Sequence, residues 1–370
     1  MAHNNYEAWR CKWIGLALVA ILGTGCATNP SSGAFNLGIP PSLESERPMW
    51  PSPREGEVPR YLFAGQLTGE DNYREPQEPR TKTQAFFHWL LGLFDEEAVP
   101  IVLQRPQSGV VDNVGRILVT DASRQAVFVF DPRGGSLEVW EVADKATRFI
   151  APSGIAVGES GDIYVADAEL GFVTKLNGNG EPVGVIGMGE LRRPVGVAYD
   201  VATHHLYVAD TYAHDIKVFA ADGRLLRTWG QRGVNPGEFN YPTFLTLAQG
   251  NLYVTDTMNS RVQVLDAETG QTKLVFGEQG MNVGDLVRPK GVAVDSEGNI
   301  YVVESYYDRL LVFNKRGEFL MPIGGSGPEI GQFYLPSGVW SDMQNRIFVA
   351  DMFNGRVTLF QFLGGRTEGE

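Results

Sequence analysis

The stretch Leu252-Tyr253-Val254-Thr255-Asp256 is a short apolar run that ends in an acidic residue, and this pattern recurs along the chain. The acids follow one another at intervals of 43 to 48 residues: Asp121, Asp167, Asp210, Asp256, Glu304 and Asp351. A period of this length, built from short strands, is typical of a β-propeller in which each repeat forms one four-stranded sheet. The six acids therefore predict an all-β fold with six blades around a central axis.

The fifth copy shows the parts of one repeat most clearly. Pro289-Lys290-Gly291 opens a first strand, a turn at Gly298 leads into the strand that ends at Glu304, and two further strands follow. A proline suits the first position of a strand, and a glycine there lets backbones approach closely near the axis. Related opening turns occur at residues 106–109, 152–154, 194–196, 242–244 and 336–338, of which residues 242–244 lack the glycine.

The sixth repeat stops near Phe362 without a fourth strand, and the missing pattern stands upstream of all repeats at residues 60–65. Closing the ring would remove two exposed sheet edges, so we expect residues 59–66 to supply the outer strand of the last blade. Residues 101–362 are predicted to form the rest of the propeller, and residues 363–370 a tail.

Residues 67–100 are predicted to be an insert between this closing strand and the first repeat. Within the insert, Thr83–Phe94 is rich in Phe, Trp and Leu and predicts a short apolar helix. The helix could pack against the ring or plug one face, and it could instead dock a partner or touch a bilayer.

The N-terminus has the features of an export signal. Arg10 and Lys12 precede an apolar run over residues 13–22 that is too short to span a bilayer, and small residues lead to Cys26. The run resembles a bacterial lipoprotein signal, which implies that residues 1–25 are removed and that Cys26 is lipidated. An uncleaved short anchor and an ordinary cleaved signal peptide remain alternatives.

Lipidation of Cys26 would anchor the chain in the membrane of the cell envelope. Residues 26–58, rich in Pro and Ser, are predicted to be a flexible tether. By resemblance to enteric lipoproteins, Ala27 favours the outer over the inner membrane. Cys11 is the only other cysteine, so the folded part has no thiol for a disulfide, a thiolate metal site or a nucleophile.

The balance of charge limits the class of partner. The 370 residues carry 31 Lys and Arg against 44 Asp and Glu, a formal net charge of −13. This acidity argues against nonspecific binding of nucleic acid, which needs a basic field. We expect a monomer that has no nucleic-acid partner.

Several recurring motifs resemble those of the NHL-repeat family of six-bladed β-propellers. They are the Pro-x-Gly-Val-Ala-Val opening, the Ile-Tyr-Val-x-Asp strand, and the Asn-x-Arg-Val loop at residues 259–262 and 354–357. Long Gly-rich linkers, best seen at residues 230–239, add to the likeness, which covers residues 101–362. The resemblance implies a binding platform in most cases, and a lyase or lactone hydrolase in a minority of related propellers.

Catalytic groups are scarce in the repeats. An acid that ends the same strand in every blade is more simply a hydrogen-bond cap for the following loop than a ligand, so the six acids are predicted to be structural. Of the histidines, only His214 lies where it could approach the channel mouth, and one histidine does not make a zinc site. The sequence therefore predicts no catalytic residue, no metal ligand and no cofactor, although a calcium ion bound by oxygen ligands in the central channel stays open.

One face of the ring is the better candidate for binding, because it carries the opening turns and the loops after the acids. Aromatic side chains together with arginine are typical of interface anchors, and clustered arginines can also hold a carboxylate or phosphate. The alternative is that these residues have only a structural role and cover the ends of strands. The candidate binding residues are Arg105, Arg193, Arg288, Tyr212, His214, Tyr306, Tyr307 and Phe353.

These observations favour a lipid-anchored envelope propeller that binds a protein or peptide partner, or scaffolds an assembly, through its loop-rich face. The alternative is a metal-assisted lyase or lactone hydrolase that acts at the channel mouth. The sequence favours binding over catalysis and does not identify the partner.

Overall fold

The computed structural model describes residues 31–53, 57–73 and 100–364. Within these ranges the secondary structure is β-strand, apart from single 3₁₀ turns at Pro41–Leu43, Glu70–Asn72, Thr257–Asn259 and Met352–Asn354. None of the helical turns in the described ranges has the length and apolarity that a membrane crossing needs. The predicted signal (residues 1–25), Cys26 and the predicted helix Thr83–Phe94 lie outside the described residues.

Each blade is an antiparallel sheet whose strands follow one another along the chain. Three short strands come first: β1 (Ser31–Ser32), β2 (Met49–Trp50) and β3 (Tyr61–Leu67). Blade 1 holds β4 (Pro106–Val111), β5 (Ile117–Asp121), β6 (Ala126–Asp131) and β7 (Ser136–Trp140). A small hairpin of β8 (Val142–Asp144) and β9 (Thr147–Arg148) leads to blade 2, which holds β10 (Pro152–Val157), β11 (Ile163–Asp167), β12 (Phe172–Leu176) and β13 (Pro182–Ile186).

The remaining blades repeat this order. Blade 3 holds β14 (Pro194–Asp200), β15 (His205–Asp210), β16 (Asp215–Ala220) and β17 (Leu225–Trp229). Blade 4 holds β18 (Pro242–Ala248), β19 (Asn251–Asp256), β20 (Arg261–Asp266) and β21 (Thr272–Phe276). Blade 5 holds β22 (Pro289–Val294), β23 (Ile300–Glu304), β24 (Arg309–Phe313) and β25 (Phe319–Gly324), and blade 6 holds β26 (Val339–Ser341), β27 (Arg346–Asp351) and β28 (Arg356–Phe362).

The N-terminal strand closes the ring, as the sequence predicts. β3 pairs antiparallel with β28, from Phe362 opposite Tyr61 to Val357 opposite Leu67, and supplies the fourth strand of blade 6. Buried and half-buried side chains alternate along β3, because its two faces meet different surroundings. The six-bladed all-β fold and its closure are thus confirmed, with the strand at Tyr61–Leu67.

The hydrophobic core is divided among the spaces between blades. Six clusters of buried side chains each draw on two neighbouring blades. One cluster joins blade 6 to blade 1 and includes Leu67 of β3, and another joins blade 5 to blade 6 and includes Tyr61. Because both faces of each sheet are covered, β5, β11 and β23 are buried at every position, which explains why their apolar runs do not alternate.

Part of the predicted tether over residues 26–58 is folded onto the propeller. β1 pairs with the outer strand β7 of blade 1, and β2 pairs with β3 of blade 6. Phe35 and Leu37 pack against the cluster between blades 6 and 1, and Trp50 packs against the cluster between blades 5 and 6. These contacts correct the expectation of a free tether, because apolar side chains spaced along the segment find covered sites at the closing blade.

The start of the predicted insert, residues 67–100, also belongs to the propeller. Leu67 ends β3, Gly69 forms a bridge with Val102, and the Tyr73 ring lies over Phe130 in blade 1. Asn72 is buried, and its side chain bonds the backbones of Thr68, Gln66 and Asn36. Residues 68–73 are therefore a packed connection.

Candidate functional site

The opening prolines and the terminal acids lie on one face of the ring because the first two strands of each blade run antiparallel. Pro106 lies opposite Asp121, and the equivalent proline lies opposite the acid in blades 2 to 5. The loops after the acids and the linkers between blades emerge at this same end. We call this end the loop face. His204 and His205 lie at the other end, where His204 belongs to the turn before β15 and His205 is the first residue of that strand.

The six repeat acids are buried and bind backbone amides. In blade 1 the Asp121 carboxylate accepts hydrogen bonds from the amides of Gln104 at 2.6 Å and Arg105 at 2.8 Å, and from Ser123 and Arg124 in the loop that follows. The other five carboxylates accept at least one amide from the segment before the opening proline of their own blade. This is the structural role expected of them, and the ring of acids presents no open carboxylate to a ligand.

The Asn-x-Arg motif connects an acid to a long linker. Asp256 receives Asn259 Nδ2 and Arg261 Nε, each at 2.8 Å, and the Arg261 guanidinium continues to the carbonyls of Val234 and Glu238. Asp351, Asn354 and Arg356 repeat the arrangement. The Gly-rich linkers of the loop face are therefore held by buried ion pairs.

Large apolar side chains project from four successive blades. The residue two positions after the acid is Tyr212, Met258, Tyr306 or Phe353 in blades 3 to 6, and these side chains are 51 to 60% exposed. In blades 1 and 2 the same position holds a serine and a glutamate. Tyr241 and Tyr334 contact Tyr212 and Phe353 edge-on. We call Tyr212, Met258, Tyr306 and Phe353 the apolar arc.

The predicted arginines have different surroundings. The Arg193 guanidinium pairs with Glu169 at 2.6 Å and lies 5.1 Å from the Tyr212 ring centre. Arg105 is exposed and lies 5.4 Å from the Phe353 ring centre, which joins blade 1 to the end of the apolar arc. Arg288 is also exposed. Among the described residues, neither Arg105 nor Arg288 has a carboxylate partner.

Tyr307 is half-buried beside the apolar arc, where its ring meets the Tyr306 ring at 5.0 Å and lies under the Arg309 guanidinium. It supports Tyr306 and offers a partner little surface of its own.

His214 is buried and does not belong to the open surface. Its Nδ1 accepts the amide of Tyr241, in the next blade, at 3.1 Å, and its ring meets the Tyr241 ring at 4.5 Å. Burial, helped by the positive charge of Arg232, lowers the pKa of the imidazole, so the neutral form that accepts this bond is favoured. The expectation that His214 serves binding directly is corrected, because it positions the neighbouring blade.

The position of His214 follows from the backbone conformation of the loop after Asp210. The residue four positions after each acid has a positive φ, at Gln125, Gly171, His214, Ser260, Asp308 and Gly355. Where this residue has a side chain, it bonds the segment before the next opening proline, as Asp308 does with the amide of Leu335 at 2.7 Å and Ser260 with the carbonyl of Val287. The constant spacing from the acid is a sequence signal for this role, since only glycine and a few polar residues adopt that conformation readily.

Lys290 was not among the candidates from the sequence, yet it follows the opening proline of blade 5 on the innermost strand, β22. It is half-buried, and in the described part of the chain its ammonium has no hydrogen-bond acceptor. The same ranges contain no group of three His, Cys, Asp or Glu side chains placed to hold a metal ion.

Known proteins resemble this chain in its repeats and in its fold. The NHL repeat family model matches residues 191–219 and 239–265, which fall in blades 3 and 4. Peptidyl-glycine alpha-amidating monooxygenase A of Xenopus laevis is 35% identical over 160 residues, which cover 39% of this chain and only 17% of that protein. The chain thus matches a small part of this relative.

Solved structures of low identity share the fold. A streptogramin B lyase superposes with a TM-score of 0.54 at 15% identity, over 71% of this chain and 95% of its own. A gluconolactonase from Xanthomonas campestris gives 0.54 at 15% identity, over 81% of this chain and 98% of its own. Together with the strand order, these similarities show the fold of a six-bladed β-propeller, in which the NHL repeat match lies in blades 3 and 4.

Proposed function

We propose that this chain is a lipid-anchored propeller of the cell envelope that binds a protein or peptide partner through its loop face. The observation that carries the proposal is the apolar arc, which places four large, half-exposed side chains at equivalent positions of successive blades. Three of the four are aromatic, and a few large side chains of this class often provide most of the binding energy in protein interfaces.

The arc also stands on a rigid base. Each of its residues follows a buried acid whose carboxylate accepts an amide of the segment before the opening proline. Glu304 also accepts the amides of Tyr306 and Tyr307 in the loop that follows it. Arginines lie over two arc rings, Arg193 over Tyr212 and Arg105 over Phe353. A partner that binds here would meet a surface that loses little conformational freedom, which favours affinity.

A triple variant tests this face directly. We expect Tyr212→Ala, Tyr306→Ala and Phe353→Ala together to abolish recovery of the partner that the wild type captures from envelope extracts. The matched control is Val114→Ala, Val201→Ala and Met343→Ala, since these side chains are also exposed but lie in turns at the opposite end of the ring. Equal recovery by both variants would count against the loop face.

The anchoring part of the proposal rests on the signal pattern that ends at Cys26. We expect Cys26→Ser to move the protein from the membrane fraction to the soluble fraction and to abolish incorporation of labelled palmitate. A serine variant that stays in the membrane fraction would contradict lipid anchoring while leaving the loop-face test unaffected.

A further inference from the structure

The first strands of the six blades surround the central axis. β4, β10, β14, β18, β22 and β26 each contact the first strands of both neighbouring blades. Their backbones lie so close that a Cβ on Gly291 would stand 2.5 Å from the amide nitrogen of Val339 in the next blade. Residues that follow the opening prolines therefore lie next to the axis at the loop face.

Five of these six positions are neutral: Gln107, Ser153, Val195, Thr243 and Ser337. Several hydroxyls among them are used within the ring. Ser153 Oγ donates to the carbonyl of Val195 at 2.9 Å, and Thr243 Oγ1 lies 2.7 Å from Thr257 Oγ1. The sixth position is Lys290, whose carbonyl accepts a hydrogen bond from Thr255 Oγ1 at 2.6 Å. Lys290 thus brings the one positive charge of this ring of six residues.

The charges of two arginines act on the Lys290 ammonium. Its pKa is lowered, first by burial and then by the charges of Arg288 in its own blade and Arg105 in blade 1. Only a group near the axis can be close to residues from blades 5 and 1 together. Like charges repel one another. The buried carboxylates of Glu304 and Asp121 accept the backbone amides of Arg288 and Arg105, but within the described residues no carboxylate forms an ion pair with the side chain of Lys290, Arg288 or Arg105.

We propose that Lys290, Arg288 and Arg105 form an anion site at the channel mouth that binds a carboxylate of the peptide partner. This inference rests on the proposed function, because it specifies the chemistry of the same partner. Arg105 lies over Phe353, so the cations and the apolar arc are continuous. A ligand that occupies both the three cations and the apolar arc therefore has an apolar group beside its carboxylate. A free inorganic anion would leave the arc unused.

The charge of the whole chain adds to the selectivity of the site. With a net charge of −13, the rest of the molecule repels long polyanions, whereas a single carboxylate can reach a local group of three cations. Arginine binds carboxylates in two-point geometry, and lysine acts as a point charge, so together they can surround one carboxylate.

The test uses two small probes that differ only in charge, 3-phenylpropanoate and 3-phenylpropanamide, titrated calorimetrically into the full chain at low salt. We expect the carboxylate to bind at least tenfold more tightly than the amide. Lys290→Met should remove that difference, because it keeps the length of the side chain and deletes its charge. The matched control is Lys315→Met, which deletes the same charge from an exposed turn at the opposite end.

Equal binding of the two probes to the wild type would overturn the proposal, as would unchanged carboxylate binding to Lys290→Met or failure of both probes to bind at millimolar concentration. Inorganic phosphate is the third probe. If phosphate binds more tightly than 3-phenylpropanoate, and Phe353→Ala leaves its binding unchanged, the site takes free oxyanions and the assignment to a peptide carboxylate is wrong.

Partner recovery separates this proposal from the one on which it rests. We expect Lys290→Met to reduce recovery from envelope extracts and Lys315→Met to leave it unchanged. If the triple variant of the apolar arc loses the partner while Lys290→Met retains it, the loop face is supported as the binding surface and the anion site is refuted.

Discussion

Leu67 is the residue at which closure of the ring can be tested most directly. It ends β3, its side chain is fully buried, and its cluster contains Val357 and Leu359 of blade 6 together with Ile117 and Phe128 of blade 1. Leu67→Ala would leave a cavity between two sheets that are each fixed by their own hydrogen bonds. Since neither sheet can move to fill it, we expect a loss of about 3–5 kcal/mol in the free energy of unfolding.

For a domain of about 300 residues, each kcal/mol corresponds to about 1.6 °C, so the melting temperature should fall by about 5–8 °C. Calorimetry and urea unfolding followed by circular dichroism would both measure the loss. The matched control is Leu320→Ala in β25, the fourth strand of blade 5, where the leucine side chain is 51% exposed and we expect a change below about 0.5 kcal/mol.

The comparison distinguishes the loss of stability caused by weakening the closure of the ring from the effect of removing any leucine from an outer strand. If Leu67→Ala unfolds like Leu320→Ala, then β3 does not hold blades 6 and 1 together, and its role in closing the ring is refuted.

Three further predictions concern the loops and the axis. Burial lowers the pKa of His214 below its unfolded value near 6.5, so the stabilisation that is present above pH 6.5 should decline as the pH falls below that value. His214→Asn keeps an acceptor and tolerates positive φ, so its melting temperature should fall less than that of the wild type between pH 7.5 and 5.5. Equal losses in the two proteins would refute this role of His214. Asp256→Ala should cost about 3–5 kcal/mol in urea unfolding because it leaves the largely buried Arg261 guanidinium without its carboxylate, whereas Asp222→Ala, in an exposed turn, should cost less than about 1 kcal/mol. Similar losses would show that Asp256 is dispensable. Gly291→Ala should lower the free energy of unfolding by about 1–3 kcal/mol, because its Cβ would meet the backbone of the next blade at the axis. A Cβ at Gly184 meets open space, so Gly184→Ala should be neutral or slightly stabilising. A neutral Gly291→Ala would mean that the first strands can separate.

The sequence predicted the number of blades and the closing strand because both depend on local patterns. Each blade is a run of hairpins, so an apolar run, a turn and an acid occur in the same order every time, and a missing strand is visible as a gap in that order. The capping role of Asp121 and its equivalents also follows from position alone, since a carboxylate at a strand end meets the free amides of the next loop.

The contacts of the N-terminal segment were not predictable in the same way. Phe35 and Trp50 belong to two short apolar groups that prolines and polar residues separate, and the partners of these groups lie in blades that are far away along the chain. No periodicity relates them, so the sequence alone suggested a tether. Lys290 was missed for another reason: its importance depends on Arg105, which is distant in sequence and becomes a neighbour only when the ring is closed.

The closing strand also has a consequence for the order in which the chain can fold. β3 is among the first strands to leave the ribosome, and its partner β28 follows about 290 residues later, so this pairing has a very large sequence separation and is expected to form late. Until β28 is available, the edge of β3 that pairs with it stays open, and a chain that is interrupted before β28 keeps that edge open. The ring is therefore complete only when the whole chain is present, and an interrupted chain is a ready target for proteases and for aggregation.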